Sequence, residues 1–337
     1  MIHASRFHNS SRSTVKNCFH KTKSQGYAMN VLILGAGAMG SLVGARLSRT
    51  EANLILFSTD RHHMEAIRRE GLHIEELDGS MSRYDLKAVD TPGEIDAPPD
   101  LVIVLVKSYA TQTAVASVKD LRHASTIFLT LQNGVGNWER IAAEVGRESV
   151  IVGSTAEGAT LVAPGRIRHG GTGVTHVGEP HGPPSPRIHA VVELLAKGGF
   201  EARVSSQMEQ LIWEKLQVNV GINAITALTG IRNGAIAQLE EAQALSRAAV
   251  QESIKVSRAR GFAIREDMVD RVIAVARATA VNRSSMGQDV DRRKRTEIDA
   301  INGAIVRLGE EMNIPTPVNW TLTQLMKILE ASFTCLQ

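Results

Sequence analysis

The spacing of apolar and polar positions organises the chain from residue 30 onward. Val31–Leu34 reads as a short buried strand, followed by a glycine-rich turn and a helical stretch from about Ala38 to Arg49. Leu54–Phe57 reads as a second strand, and Arg61–Glu70 as a helix ended by Gly71. Leu72–Leu77 and Arg83–Val89 flank Asp78-Gly79, a pair that supplies the positive φ of a tight turn, so a hairpin is expected there. After the stiff Ala97-Pro98-Pro99 loop, Leu101–Val106 is apolar throughout, as a central parallel strand is. Ile127–Leu131 and Val150–Val152 repeat that theme. Strands alternating with helices imply a parallel, doubly wound sheet of the α/β class. Residues 159–187 are rich in Gly and Pro with short β-like runs, and Ala202–Val204 offers one last strand. Beyond Gln207 the period is helical almost to the end. The expected division is residues 29–206 as a sheet domain and 207–337 as an all-helical C-terminal domain, with the boundary near Ser205–Gln207.

Charge changes the picture at the N-terminus. Residues 1–28 carry five basic side chains (Arg6, Arg12, Lys16, Lys21, Lys23) and no acid. Without them the body holds 33 basic against 35 acidic residues, a net of −2, which gives no reason to invoke a polyanionic partner. The 1–28 segment has no helical or strand period and no secretory apolar run. Arg with Ser and no acid is faintly like a mitochondrial transit peptide, but the reading adopted is a disordered or non-native extension before a start at Met29. Aromatics are only 4% of the chain, too few for a stacking platform, so no nucleic acid is expected. No uncharged apolar run of 18 residues exists, so no membrane span is expected. The two cysteines, Cys18 and Cys335, sit at opposite ends and suggest no disulfide framework, which fits a cytoplasmic setting. The eleven histidines show no metal-ligand spacing.

Gly35-Ala36-Gly37-Ala38-Met39-Gly40 lies between the first strand and its helix. In that context the first Gly makes the turn, the second admits a pyrophosphate to the backbone, and the third lets helix pack on strand. The phosphates then sit at the helix N-terminus, and the sheet domain reads as a Rossmann-type dinucleotide-binding unit. Asp60, 20 residues beyond Gly40, stands where an acid would accept from a ribose diol and repel a 2′-phosphate. Ser58, Thr59 and Arg61 around it suit a phosphate instead, and Asp60 also suits a helix cap. The sequence leaves these alternatives open. Lys107-Ser108 and Gln132-Asn133-Gly134 follow two successive strands at the carboxyl ends, where open α/β sheets bind ligands.

The segment Trp213–Asn223 is more informative still. Lys215, Asn219 and Asn223 are spaced i, i+4, i+8 and share a helical face within about 80°. From Leu216 to Ile231 there is no charge, and apolar residues fall on every side, so the helix is expected to be buried. One lysine and two amides on such a helix either form a structural network or act on an oxygen-rich ligand. In the second case desolvation lowers the lysine's pKa and makes it a proton donor. Ser285 with Gln288 fits a capping box, whose free N–H groups also suit a substrate carboxylate. The run Asp291-Arg292-Arg293-Lys294-Arg295 reads as a solvated helix face.

These motifs, in this order from Met29 to about Ile328, resemble the ketopantoate reductase (2-dehydropantoate 2-reductase) family. The resemblance rests on GAGAMG, on Lys107-Ser108, on Leu131–Gly134 and on W-x-K-L-x-x-N-x-x-x-N at Trp213–Asn223. Asn233-Gly234 and the block Ser284–Gly303 complete it. It implies reduction of 2-dehydropantoate to pantoate with NADP(H), as in pantothenate and coenzyme A biosynthesis, with Lys215 as general acid. It further implies substrate contacts at Asn133, Asn219, Asn223, Asn233, Asn282 and Ser285. Coenzyme contacts are implied at Gly35, Ala36, Gly37, Ala38, Met39, Gly40, Lys107, Asn133, Ala159 and Glu297, with Asp60 and Arg61 at the 2′ position. Many members present an Arg just after the second strand, where this chain has Thr59-Asp60 before Arg61. NAD(H) therefore stays as the alternative, in a 2-hydroxyacid dehydrogenase of the same fold, ahead of a non-catalytic dinucleotide sensor. The expected partner is a small 2-keto acid; a homodimer is left open.

Overall fold

The computed structural model describes residues 28–335. The 1–28 extension falls outside them apart from Ala28, as does Cys18. Twelve strands occur among the described residues: β1 (Asn30–Leu34), β2 (Asn53–Phe57), β3 (Leu72–Glu75), β4 (Met81–Tyr84), β5 (Lys87–Val89), β6 (Leu101–Val104), β7 (Ile127–Thr130), β8 (Val150–Thr155), β9 (Gly158–Ala163), β10 (Arg166–Gly171), β11 (Thr175–Gly178) and β12 (Ala202–Val204). Eight form one sheet in the order β12-β11-β8-β7-β6-β1-β2-β5, and β4-β3-β10-β9 form a second. The large sheet is parallel throughout except between β8 and β11.

Successive side chains of β1 enter opposite cores, which is why its sequence is apolar without alternation. Val31 and Ile33 join one cluster with Leu42, Leu47 and Met64. Leu32 and Leu34 join another with Val102, Val104 and Phe128. Helices α1 (Ala38–Leu47), α2 (Arg61–Glu70) and α5 (Pro186–Lys197) cover the first face; α3 (Thr111–Val118) and α4 (Asn137–Val145) cover the second.

Two strand expectations need correction. Asp78-Gly79 does turn the chain, with Gly79 at φ +83° and Asp78 Oδ1 accepting from Ser80 N at 2.9 Å. The second run, however, breaks after Tyr84: β4 pairs antiparallel with β3, while β5 leaves to pair parallel with β2. The Leu101–Val106 strand ends at Val104, and Leu105-Val106 descend into the cleft described below. The smaller sheet is completed by β9 and β10 from the Gly- and Pro-rich stretch.

After β12 the chain enters α6 (Met208–Thr229), then α7 (Ala235–Gln238), α8 (Glu240–Ala259), α9 (Met268–Ala278), α10 (Ser285–Asp291), α11 (Asn302–Glu311) and α12 (Pro317–Cys335). Helix α6 is surrounded by α8, α9, α10 and α12 and also touches β8 and β11. Leu216, Val220, Ile222 and Ile225 are all at most 3% exposed. Burial of such side chains contributes about 1.5–3 kcal/mol each. Trp213 stacks on Phe262 with centroids 4.9 Å apart, and Gln217 Nε2 donates to Ser257 Oγ at 2.9 Å. These contacts fix the rotation of α6, and so the direction in which Lys215 points.

Candidate active site

The turn after β1 is built by steric necessity. Gly35 holds φ +102°, and a Cβ there would collide with the backbone of Val106. A Cβ on Gly40 would strike the carbonyl of Gly35. At Gly37, by contrast, a Cβ would meet nothing within 4 Å. That glycine is the N-cap of α1, makes no side-chain cap bond, and faces open space. A helix N-terminus with free N–H groups beside an open volume is what a pyrophosphate requires, so the residues present fit a dinucleotide.

The open volume is a cleft of about 440 Å³, within the range of small-molecule sites. Its sheet-side wall includes Gly35–Met39, Ser58–Asp60, Lys107, Gln132, Asn133 and Ala159. Its helical-side wall includes Lys215, Ser285, Gln288, Asp289, Arg292, Lys294 and Glu297. Gly134 holds φ +81°, and a Cβ there would overlap Ala300; Val135 N donates to Ala300 O at 3.2 Å. The Gln132–Gly134 loop is thus pressed against the helical part, and on the sheet side Gln132 Nε2 anchors it by donating to Val106 O at 2.8 Å and Thr111 Oγ1 at 2.7 Å.

Lys215 Nζ donates to the backbone oxygen of Thr155, the last residue of β8, at 2.7 Å. The residue lines the cleft, while packed atoms strip water from the ammonium. This burial lowers its pKa to about 8, against a smaller opposing pull from the Glu297 carboxylate. Glu297 is 7% exposed; its Oε1 accepts from Ser108 N at 2.9 Å, and its Oε2 lies 3.7 Å from Lys107 Nζ. Lys107 Nζ also donates to Asp289 Oδ2 at 2.6 Å. Burial opposes charge on Lys107, but Glu297 and Asp289 outweigh it and hold the pKa above the ordinary lysine value. Two lysines in one cleft are thereby tuned apart: Lys107 is fixed as a cation, and Lys215 titrates closer to neutral pH.

Asn219 and Asn223 follow Lys215 by one and two turns of α6. Asn219 Nδ2 is buried without a partner, and Asn223 is 6% exposed. Asn233 lies beyond them, its Nδ2 donating to Thr279 Oγ1 at 3.0 Å and its Oδ1 buried without a partner. Asn233 N donates to Asn282 O at 3.1 Å, so those two residues meet through backbone. None of these four asparagines is part of the cleft wall itself. Arg61 is exposed on α2 and is also outside the wall.

The capping box expected at Ser285 does not form; a simple N-cap sits one residue earlier. Ser284 is the N-cap: its Oγ accepts from Gly287 N at 3.0 Å, and Thr226 Oγ1 donates to it at 2.7 Å. Gln288 Nε2 reaches back to Arg283 O at 3.1 Å. Ser285 is thereby free of the capping task and lines the cleft. Asp60 does cap α2, with Oδ1 accepting from His63 N at 3.2 Å. The basic run is exposed as expected but not helical: α10 ends at Asp291, and Arg292 and Lys294 border the cleft. Sequence reading had no signal for Thr155 or Glu157, whose roles arise from backbone placement and from a long-range pair with His169.

Known proteins share this fold. The model of a family described as Ketopantoate reductase PanE/ApbA matches residues 31–182, and that of its C-terminal part matches residues 207–330. The chain belongs to the ketopantoate reductase family. A 2-dehydropantoate 2-reductase of Halobacterium salinarum is 37% identical, over 90% of this chain and 99% of its own. The crystal structure of a PanE/ApbA family ketopantoate reductase from Ralstonia eutropha superposes with a TM-score of 0.83 at 30% identity, covering 90% of this chain and 99% of that one. The ternary structure of D-mandelate dehydrogenase with NADH and anilino(oxo)acetate superposes at 0.84 and 26% identity, with the same coverage. Ketopantoate reductase relatives therefore share both the sheet and the helical part. Among the described residues, no cluster of His, Cys, Asp and Glu could hold a metal, and no helix is long and apolar enough to cross a membrane.

Proposed function

We propose that this protein reduces the keto group of 2-dehydropantoate to the alcohol of pantoate, with NADPH preferred to NADH. Residues 29–206 serve as the dinucleotide-binding domain and 207–337 as the substrate domain. The observation that carries the reading is Lys215: a desolvated ammonium with a pKa near 8, on the wall of the same cleft as the Gly35–Gly40 turn.

When bound, the nicotinamide supplies the hydride that adds to the keto carbon, and the carbonyl electron pair moves onto oxygen. The protein's own part is to deliver a proton there. Lys215 Nζ holds one N–H on Thr155 O, which orients the other two toward the cleft. One of these protonates the forming alkoxide, leaving a neutral amine that solvent recharges. Gly35–Met39 and Lys107 hold the dinucleotide, with Asn133 and Ala159 beside them. Ser285 on the wall takes the substrate's carboxylate, and Asn219 and Asn223, which stand outside the wall, turn in to its hydroxyl groups. Glu297 keeps the two walls in register through Ser108 N.

A second reading has a specific observation behind it. The D-mandelate dehydrogenase neighbour binds NADH, and this chain places Asp60 where a ribose diol is read. Steady-state reduction of ketopantoate and of aromatic 2-keto acids, each with NADPH and NADH, decides between them. The proposal expects the highest kcat/KM for ketopantoate with NADPH. A higher value for an aromatic keto acid with NADH replaces it with the hydroxyacid dehydrogenase reading. No turnover of any keto acid, with coenzyme still bound, points to a sensor.

A further inference from the structure

We propose that Lys294, carried by the helical part, recognises the coenzyme's 2′-phosphate across the cleft. This deepens the NADPH reading above and rests on it. The second-strand loop alone does not explain such a preference. It ends in Asp60, and Arg61 is outside the cleft wall.

Lys294 is placed there by a backbone device. Helix α10 closes with Arg293 N donating to Val290 O at 2.9 Å and Lys294 N to Asp289 O at 2.9 Å, the pair of bonds that defines a Schellman turn. Such a turn needs a left-handed residue, usually Gly. Here Arg293 fills it at φ +53°, one of two non-glycine residues with positive φ among those described. Arg292 Nη2 donates to Leu161 O on β9 at 2.6 Å, pinning the turn onto the sheet part. The result sets Lys294 Nζ 4.0 Å from Asp60 Oδ2.

The chemistry of that pair favours a phosphate monoester. Asp60 spends Oδ1 on the N–H of His63, and its Oδ2 faces the Lys294 ammonium at 4.0 Å. The repulsion a lone carboxylate would exert on a 2′-phosphate is thus offset. Lys294 is exposed enough to swing from the carboxylate to an incoming phosphate, and Thr59 offers a hydroxyl nearby. His63 is no competitor. Its Nδ1 accepts from Gly165 N at 2.9 Å and its Nε2 lies 3.0 Å from Ser41 Oγ, so both ring nitrogens are occupied. Burial also lowers its pKa, which keeps it uncharged.

The test is binding rather than turnover. Fluorescence titration of NADPH and NADH, with calorimetry of adenosine 2′,5′-bisphosphate against 5′-AMP, is run on the unsubstituted protein, Lys294→Glu and Lys294→Arg. Lys294→Glu should weaken NADPH and the bisphosphate by about tenfold or more, as expected on losing a charge-assisted bond and gaining repulsion. NADH and 5′-AMP should hold within about twofold, and Lys294→Arg should retain most of the preference. Raising salt should erode the NADPH preference, because the pair is solvent-accessible. An equal loss for both coenzymes in Lys294→Glu, or no loss for NADPH, overturns the role of Lys294 alone. Tighter NADH binding by the unsubstituted protein overturns the NADPH reading beneath it.

Discussion

A lysine with one N–H tied to a backbone carbonyl, and little water around it, is a proton donor set close to neutral pH. Because the pKa of Lys215 is lowered to about 8, the reduction rate should be level in mildly acidic buffer. It should then fall by about tenfold per pH unit once pH rises past 8, as the donor loses its proton. The reverse reaction, oxidation of the alcohol, needs the neutral amine and should gain over the same interval. Lys215→Met should lower turnover by about a hundredfold or more while coenzyme binding through Gly35–Gly40 persists. It should not destabilise the fold in proportion. A folded-state pKa below the unfolded one means that the charged lysine costs stability at neutral pH. That cost is fully present below about 8 and fades as pH climbs toward the unfolded value of 10.5. The checks are a pH–rate profile for both directions and thermal unfolding of the variant. Collapse of the fold with unchanged turnover per folded molecule would mean that the lysine is only a structural strut.

At the scale of the element, two adjacent serines separate structure from binding. Ser284→Ala removes the cap of α10 and the acceptor of Thr226, and should cost about 1–2 kcal/mol in unfolding. Ser285→Ala should leave stability within about 0.5 kcal/mol, as substitutions outside capping and core positions do. It should instead raise the KM for keto acid. Equal effects of the two on melting temperature would assign both to the cap. The one-residue slip in the sequence-based expectation has a plain cause: both positions are serine, and Gln288 three residues on favoured Ser285, whereas Ser284 caps without a box, with Gly287 at N3. The Gly35–Gly40 turn and α6 were legible because their signals are local, a strand–glycine–helix order and an uncharged stretch at helical spacing. β5 was not, since whether Lys87–Val89 extends a hairpin or pairs with β2 depends on residues 32 positions away. Nor was Lys294, which reads as one more solvated cation until the chain folds and brings Asp60 beside it.

The whole molecule is held across the cleft by bonds of unlike kinds. Lys215 reaches Thr155, Lys107 reaches Asp289, Ser108 N reaches Glu297, Val135 N reaches Ala300, and Arg292 reaches Leu161. Covalently, however, the sheet part and the helical part are joined by a single passage, from β12 through Ser205–Gln207 into α6. Each side has an apolar cluster of its own, with Met64 and Phe128 in the sheet part and Trp213 and Val250 in the helical part. The passage therefore acts mainly as a tether that keeps one surface at a local concentration near the millimolar range of the other. Fragments 29–206 and 207–337 produced together should reassemble into an active pair whose activity falls on dilution, unlike that of the intact chain. Because Lys294 and Lys107 would grip the coenzyme from opposite sides of the seam, NADPH should act as an adhesive for the split pair. Sedimentation of the fragments with and without it would show the dissociation constant dropping, and would turn coenzyme choice into a property of assembly.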